Sequence, residues 1–147
     1  MKRLLIFAAC LILGFSSLSQ ADENRFGQFN SDVDTAYAEY RKALFQTNQN
    51  NTEKSAKTNS SFQNQWKKII AAYGSHPPEV FSSDPKWTAT LTEIEKIAEK
   101  SSGMITAGLL VEAHEHLEGI RDQLSQLRKR NSVIVFSDHI NNYHEVM

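Results

Sequence analysis

Apolar residues along this chain return every three or four positions rather than every second one. That spacing marks one face of a helix. Val33, Tyr37, Tyr40 and Leu44 give a first stripe. Ser31, with Asp34 three residues on, is expected to cap its start, and Asp22 to Asn30 reads as a loose polar lead-in. The polar run Gln46 to Thr52 then breaks the pattern, as a turn or as the frayed middle of one longer helix. Phe62, Trp66, Ile69 and Tyr73 form a second stripe, with Gly74 as its stop.

Ser75 to Ser83 contains Pro77-Pro78 and reads as a connection. Asp84-Pro85 supplies a side-chain cap followed by proline at the first helical position. Trp87, Leu91, Ile94 and Ile97 or Ala98 follow as a third stripe, which Ser101-Ser102-Gly103 should end or bend. A fourth helix is predicted over roughly Met104 to Arg128, facing inward through Leu109, Ala113, Leu117, Ile120, Leu124 and Leu127. Arg128-Lys129-Arg130 at its end complements the helix dipole. A tight turn at Asn131 leads to a fifth helix from near Ser132, marked by Val133, Phe136, Ile140, Tyr143 and Met147. The fold class is therefore all-α: an up-and-down antiparallel helical bundle of four to five helices. The number turns on the breaks near Asn50 and Gly103.

The first residues carry a different signal. Lys2 and Arg3 precede an apolar run from Leu4 to Leu13, and Ser19-Gln20-Ala21 ends in the small residues that signal peptidase accepts. Residues 1–21 read as a secretory signal peptide and residues 22–147 as a single helical-bundle domain. The apolar run is shorter than the roughly 20 residues of a membrane span, so no stable anchor is expected after cleavage. The expected location is periplasmic or secreted.

Composition narrows the chemistry. The one cysteine, Cys10, lies in the leader, which leaves no disulfide, thiolate metal site or covalently attached haem in residues 22–147. The chain has 16 basic and 17 acidic residues, and loss of Lys2 and Arg3 moves that balance further to the acid side. A nucleic-acid partner, which needs a basic face, is not expected.

Four of the five histidines, His114, His116, His139 and His144, fall near the C-terminus. At about 100° per residue, His116 borders the fourth stripe with Glu112 one turn earlier, and His114 lies further round. Folding back at Asn131 would bring His116, His144 and Met147 within about one turn, ~5 Å along the axis. Glu112 or His114 could join them. Imidazole, carboxylate and thioether together suit copper, and imidazole with carboxylate suits zinc or iron. A transition metal or a non-covalent haem is the cofactor this constellation points to. His114-x-x-x-Glu118 matches one element of the hemerythrin pattern, but the first and third helices lack the other histidines, and the ferritin-like Glu-x-x-His pair is absent.

The alternative is polar boundary residues on a cofactor-free bundle. Such a protein would act as an envelope partner, adaptor or chaperone-like factor, with an exposed apolar patch away from the histidines. An enzyme ranks last, because no nucleophile, base and oxyanion arrangement can be read.

Overall fold

The computed structural model describes residues 13–134. Helix α1 spans Leu13–Asn48, α2 Thr52–Tyr73, α3 Trp87–Thr106 and α4 Leu110–Arg130, with a 3₁₀ turn over Glu79–Phe81 between α2 and α3. Among the described residues there is no strand. The helices run up and down, each packed on its chain neighbour, and α4 returns to close against α1. One core draws on all four, from Phe29 and Tyr40 through Phe62, Trp66, Leu91 and Ile94 to Leu117 and Leu127. A small satellite of Ile105, Leu110 and Ala113 seals the end at the α3–α4 turn.

The predicted second, third and fourth stripes are buried almost to the residue. The exception is the start of α4. Leu110 takes the inward place expected of Leu109, which is exposed.

Other boundaries differ from the sequence reading. Asp22 to Asn30 is helix, not a lead-in, and Ser31 lies mid-helix rather than at a cap. Tertiary contacts explain this. Phe29 enters the core edge-on to Tyr73 at 5.2 Å and to Phe81 at 5.6 Å, and Phe26 packs on Phe81 at 6.0 Å. The Arg25 guanidinium donates to the carbonyls of Ala72 and His76 at 3.1 and 2.6 Å, so it closes the C-terminus of α2 from outside. It also stands over the Tyr73 ring at 5.1 Å.

Ser101-Ser102-Gly103 does not end α3 either. The helix continues to Thr106 and stops in a turn where Gly108 takes φ 76°. There Gly108 N–H donates to Ile105 O and Leu109 N–H to Met104 O, the paired closing bonds of a left-handed helix end. Met104 and Ile105 therefore belong to α3. Two further ends use the same device without glycine. Asn50 at φ 54° closes α1, and Ser132 at φ 57° closes α4, each with the same pair of bonds. Ser132 is thus the end of α4 rather than the start of a further helix, and Val133 beyond it packs on the core. The expected fifth-helix positions Phe136, Ile140, Tyr143 and Met147 lie outside the described residues. Asn51 caps α2 by accepting from Lys54 N–H at 3.0 Å.

Asp84-Pro85 is a turn ahead of α3 rather than its cap and first helical position: the helix begins at Trp87, with Lys86 at its N-cap and no side-chain cap bond. The Asp84 carboxylate accepts from the backbone N–H of Lys86 at 2.9 Å. It also takes two bonds from Arg130 Nε, at 3.1 and 2.8 Å, and one from Asn131 Nδ2 at 2.9 Å. Arg130 Nη2 continues to Thr90 Oγ1 at 2.6 Å. The basic end of α4 is therefore latched to the start of α3. Burial alone would raise the pKa of Asp84; the bonds from Asn131, Lys86 and Arg130 outweigh it and hold the carboxyl below its ordinary range.

Candidate functional site

The candidate site residues on α4 point in different directions. His114 and His116 are two residues apart on one helix, so their side chains leave it about 200° apart. His114 faces α1. Its Nδ1 lies 2.9 Å from Thr47 Oγ1 and 3.2 Å from the Leu44 carbonyl. A carbonyl can only accept, so the network assigns the proton to Nδ1. Thr47 Oγ1 donates to the same Leu44 carbonyl at 2.8 Å, so it receives from His114 rather than donates. The other ring nitrogen, Nε2, stands 4.0 Å from Glu118 Oε1. His114 thus acts as a polar clasp between α1 and α4.

His116 lies on the opposite flank, the side that carries Gly119. An added Cβ on Gly119 would meet Ile97 Cδ1 of α3 at 3.2 Å, so this flank faces α3. His116 Nε2 is buried and has no hydrogen-bond partner. Glu112 is exposed in the first turn of α4. The structure therefore does not gather His114, His116 and Glu112 around one point. Among the described residues, no group of three or more histidine, cysteine, aspartate or glutamate side chains could hold a metal ion. His144 and Met147, the remaining ligands of the expected set, lie outside the described residues.

Three further buried polar atoms have no partner: Tyr40 Oη, Asn59 Oδ1 and Ser101 Oγ. Leaving such a group unpaired costs about 1–3 kcal/mol, so each calls for a physical reason. Asn59 and Ser101 are both 0% exposed. Asn59 Nδ2 donates to Ala98 O at 3.0 Å and Ser102 Oγ at 2.8 Å, and Gln63 Nε2 donates to the same two atoms at 2.9 and 2.7 Å. The bond to a carbonyl fixes which end of the Asn59 amide is nitrogen, and so leaves Oδ1 as the unpaired atom. Tyr40 has its pKa raised, first by burial and then by the neighbouring Tyr37.

Sequence reasoning passed over Asn59 and Ser101. Their signal was present: both are polar residues on the inward stripes, Asn59 one turn before Phe62 and Ser101 between Ala98 and Ile105. A polar side chain on a stripe that is otherwise apolar marks either a buried hydrogen bond or a ligand.

The surface offers two other features. An open groove of about 730 Å³ runs between α3 and α4, lined by Lys86, Thr90, Glu93, Gln126, Lys129 and Arg130 among others. Its lining residues are mostly charged or amide-bearing and of mixed sign. Apolar side chains are exposed at both ends of the bundle: Val80 and Ile134, at 40% and 77%, beside the α2–α3 connection and the end of α4, and three others at the end that carries the α1–α2 and α3–α4 turns. Phe45, Leu109 and Val111 are 59%, 47% and 70% exposed. No helix among the described residues is long and apolar enough to cross a membrane.

Comparison with known proteins finds no matching family model, no matching curated protein and no matching solved structure.

Proposed function

We propose that this chain is an exported helical-bundle protein that works by binding another protein in the cell envelope. The observation that supports this reading is the apolar rim of Phe45, Leu109 and Val111 at one end of the bundle. Three large apolar side chains exposed at the same end of the bundle are the kind of feature that contact sites use. Export is proposed from the basic, apolar and small-residue order of residues 1–21, and no nucleic-acid partner is proposed.

The test replaces two rim residues by charge. Leu109→Lys with Val111→Lys should leave helicity and unfolding midpoint unchanged, because neither side chain is buried. The parent protein, cross-linked in an envelope extract, should retain a partner identifiable by mass spectrometry that this variant loses. A parent that retains no partner, or a variant that retains the same one, overturns the reading.

A second reading keeps the metal or haem site at the C-terminal hairpin. One observation favours it: His116 Nε2 has no partner. It requires His144 or Met147 to supply further ligands to the metal that this nitrogen would hold. Copper, zinc or iron should then raise the unfolding midpoint of the parent and leave that of His116→Ala unmoved.

A further inference from the structure

We propose that Asn59, Ser101 and His116 form one internal polar site between α2, α3 and α4 that holds a water-sized, neutral hydrogen-bonding guest. The inference stands apart from the envelope-binding reading and from the rim that supports it.

Helix register brings the three residues level. Trp66 of α2 bonds the Leu91 carbonyl of α3, and two turns along, Asn59 bonds the carbonyl of Ala98 and the hydroxyl of Ser102. Ser101, on the same turn of α3 and facing inward, is therefore level with Asn59. On the other side of α3, Ile97 lies against Gly119 of α4. In antiparallel helices one turn forward on α3 matches one turn back on α4. One turn on from Ile97 is Ser101, and about one turn back from Gly119 is His116. Three helices thus place one buried, unpaired polar atom each at a single height: Asn59 Oδ1, Ser101 Oγ and His116 Nε2. Tyr40, the fourth such residue, packs on Phe62 at 6.0 Å, a turn further along α2, and its charged surroundings are Glu118, Arg121 and Asp122 of α4. Its hydroxyl belongs to a different level.

The chemistry of the three atoms selects the guest. Asn59 Oδ1 only accepts, Ser101 Oγ both donates and accepts, and a neutral imidazole nitrogen does one or the other according to tautomer. Buried waters typically make about three hydrogen bonds to groups of this kind. A water can donate to Asn59, accept from Ser101 and meet His116 in either sense. No carboxylate or thiolate is in this set, so nothing in it compensates a cation.

The experiment uses the full-length mature protein and nuclear Overhauser transfer from water. A long-lived water cross-peak is expected to the His116 ring and to the Asn59 side-chain amide. It should vanish in Ser101→Val, whose methyl groups occupy the guest's place, and persist at Asn59 in Ser101→Ala, which keeps the room. A crystal structure of the parent should show ordered density bonded to all three atoms, and this decides the matter alone if Ser101→Val does not fold. Direct bonding of His116 Nε2 to Ser101 or Asn59, absence of both cross-peak and density, or stoichiometric shift of the His116 resonances by zinc or copper overturns the proposal. The last of these would favour the metal reading in its place.

Discussion

Where α2 passes into α3, Phe29, Tyr73, Phe81 and Trp87 interlock, with Phe81 stacked on Trp87 at 5.0 Å and Phe29 tilted on it at 5.4 Å. At the opposite end the same four helices meet around Asn59, Ser101, His114 and His116. The aromatic end is held by shape and buried area, and the polar atoms of its rings are paired. Trp87 Nε1 donates to Tyr73 O at 3.0 Å, and the Tyr73 hydroxyl donates to Asp32 at 2.7 Å. Burial, and then that bond, push the Tyr73 pKa up to about 12. The polar end is held by direction: small or hydrogen-bonding side chains that fit one arrangement and leave some atoms unmatched. The difference assigns stability to one end and adaptable chemistry to the other.

The sharpest break is at the aromatic end. Trp87→Ala should cost about 3–5 kcal/mol by urea unfolding, from lost burial and the cavity left behind. Trp66→Ala, in the shared core with its own bond to Leu91 O, should fall in the same range. Losses below about 1 kcal/mol at both would remove the comparison altogether.

The latch on Asp84 comes next. Its carboxylate is 1% exposed, and Asp84→Ala would remove its bonds from Arg130, Asn131 and Lys86, at a cost of about 1.5–3 kcal/mol. Because the folded-state pKa is depressed, the stabilisation is fully present above the ordinary carboxylate range. It is lost as pH falls through the lowered value. The parent should therefore lose stability below pH ~4 more steeply than Asp84→Asn. Parallel acid profiles would show the latch to be without effect.

At the polar end Ser101→Ala should cost only about 0.5–1.5 kcal/mol, the worth of the one hydrogen bond to the proposed guest. A loss as large as that of Trp87→Ala would erase the distinction between the ends. The smallest effects are at the left-handed helix ends. Gly108→Ala should lose about 1 kcal/mol, and Ser132→Gly should gain a similar amount, because the L side chain is the strained one. No neighbour lies within 4 Å of an added Cβ at Gly108, so that change reports backbone strain alone.

Much of this was legible beforehand, for a definite reason. Phe62, Trp66, Ile69 and Tyr73, and likewise Leu117, Ile120, Leu124 and Leu127, bury themselves because the helical period alone fixes which face they share. The ends were harder to read. Asn50 and Ser132 adopt a conformation that sequence associates with glycine, and only the closing bonds reveal it. Ser101-Ser102-Gly103 looks like a stop until Asn59 and Gln63, far away in sequence, are seen to use the Ser102 hydroxyl. Phe26 and Phe29 were hidden in a polar stretch, where two aromatics do not make a stripe. For the site, helical angles correctly set His116 at the border of the α4 stripe. They could not say which neighbour each flank meets. That depends on the order of helices around the bundle, which sends His114 to α1 and His116 to α3.

The clasp of His114 on Thr47 and Leu44 carries a consequence for how the molecule opens and closes. Three of the four seams join consecutive helices, so their contacts form between stretches of chain already tethered by one connection. The seam between α1 and α4 joins segments separated by the whole of α2 and α3, and its loop must close before any contact there is gained. That seam should accordingly be the last to zip and the first to part, so His114→Ala should speed unfolding and leave the folding rate nearly unchanged in stopped-flow measurements. His114 then bears on how long the closed ring lasts rather than on how fast it forms, since contacts made after the folding barrier act on unfolding alone.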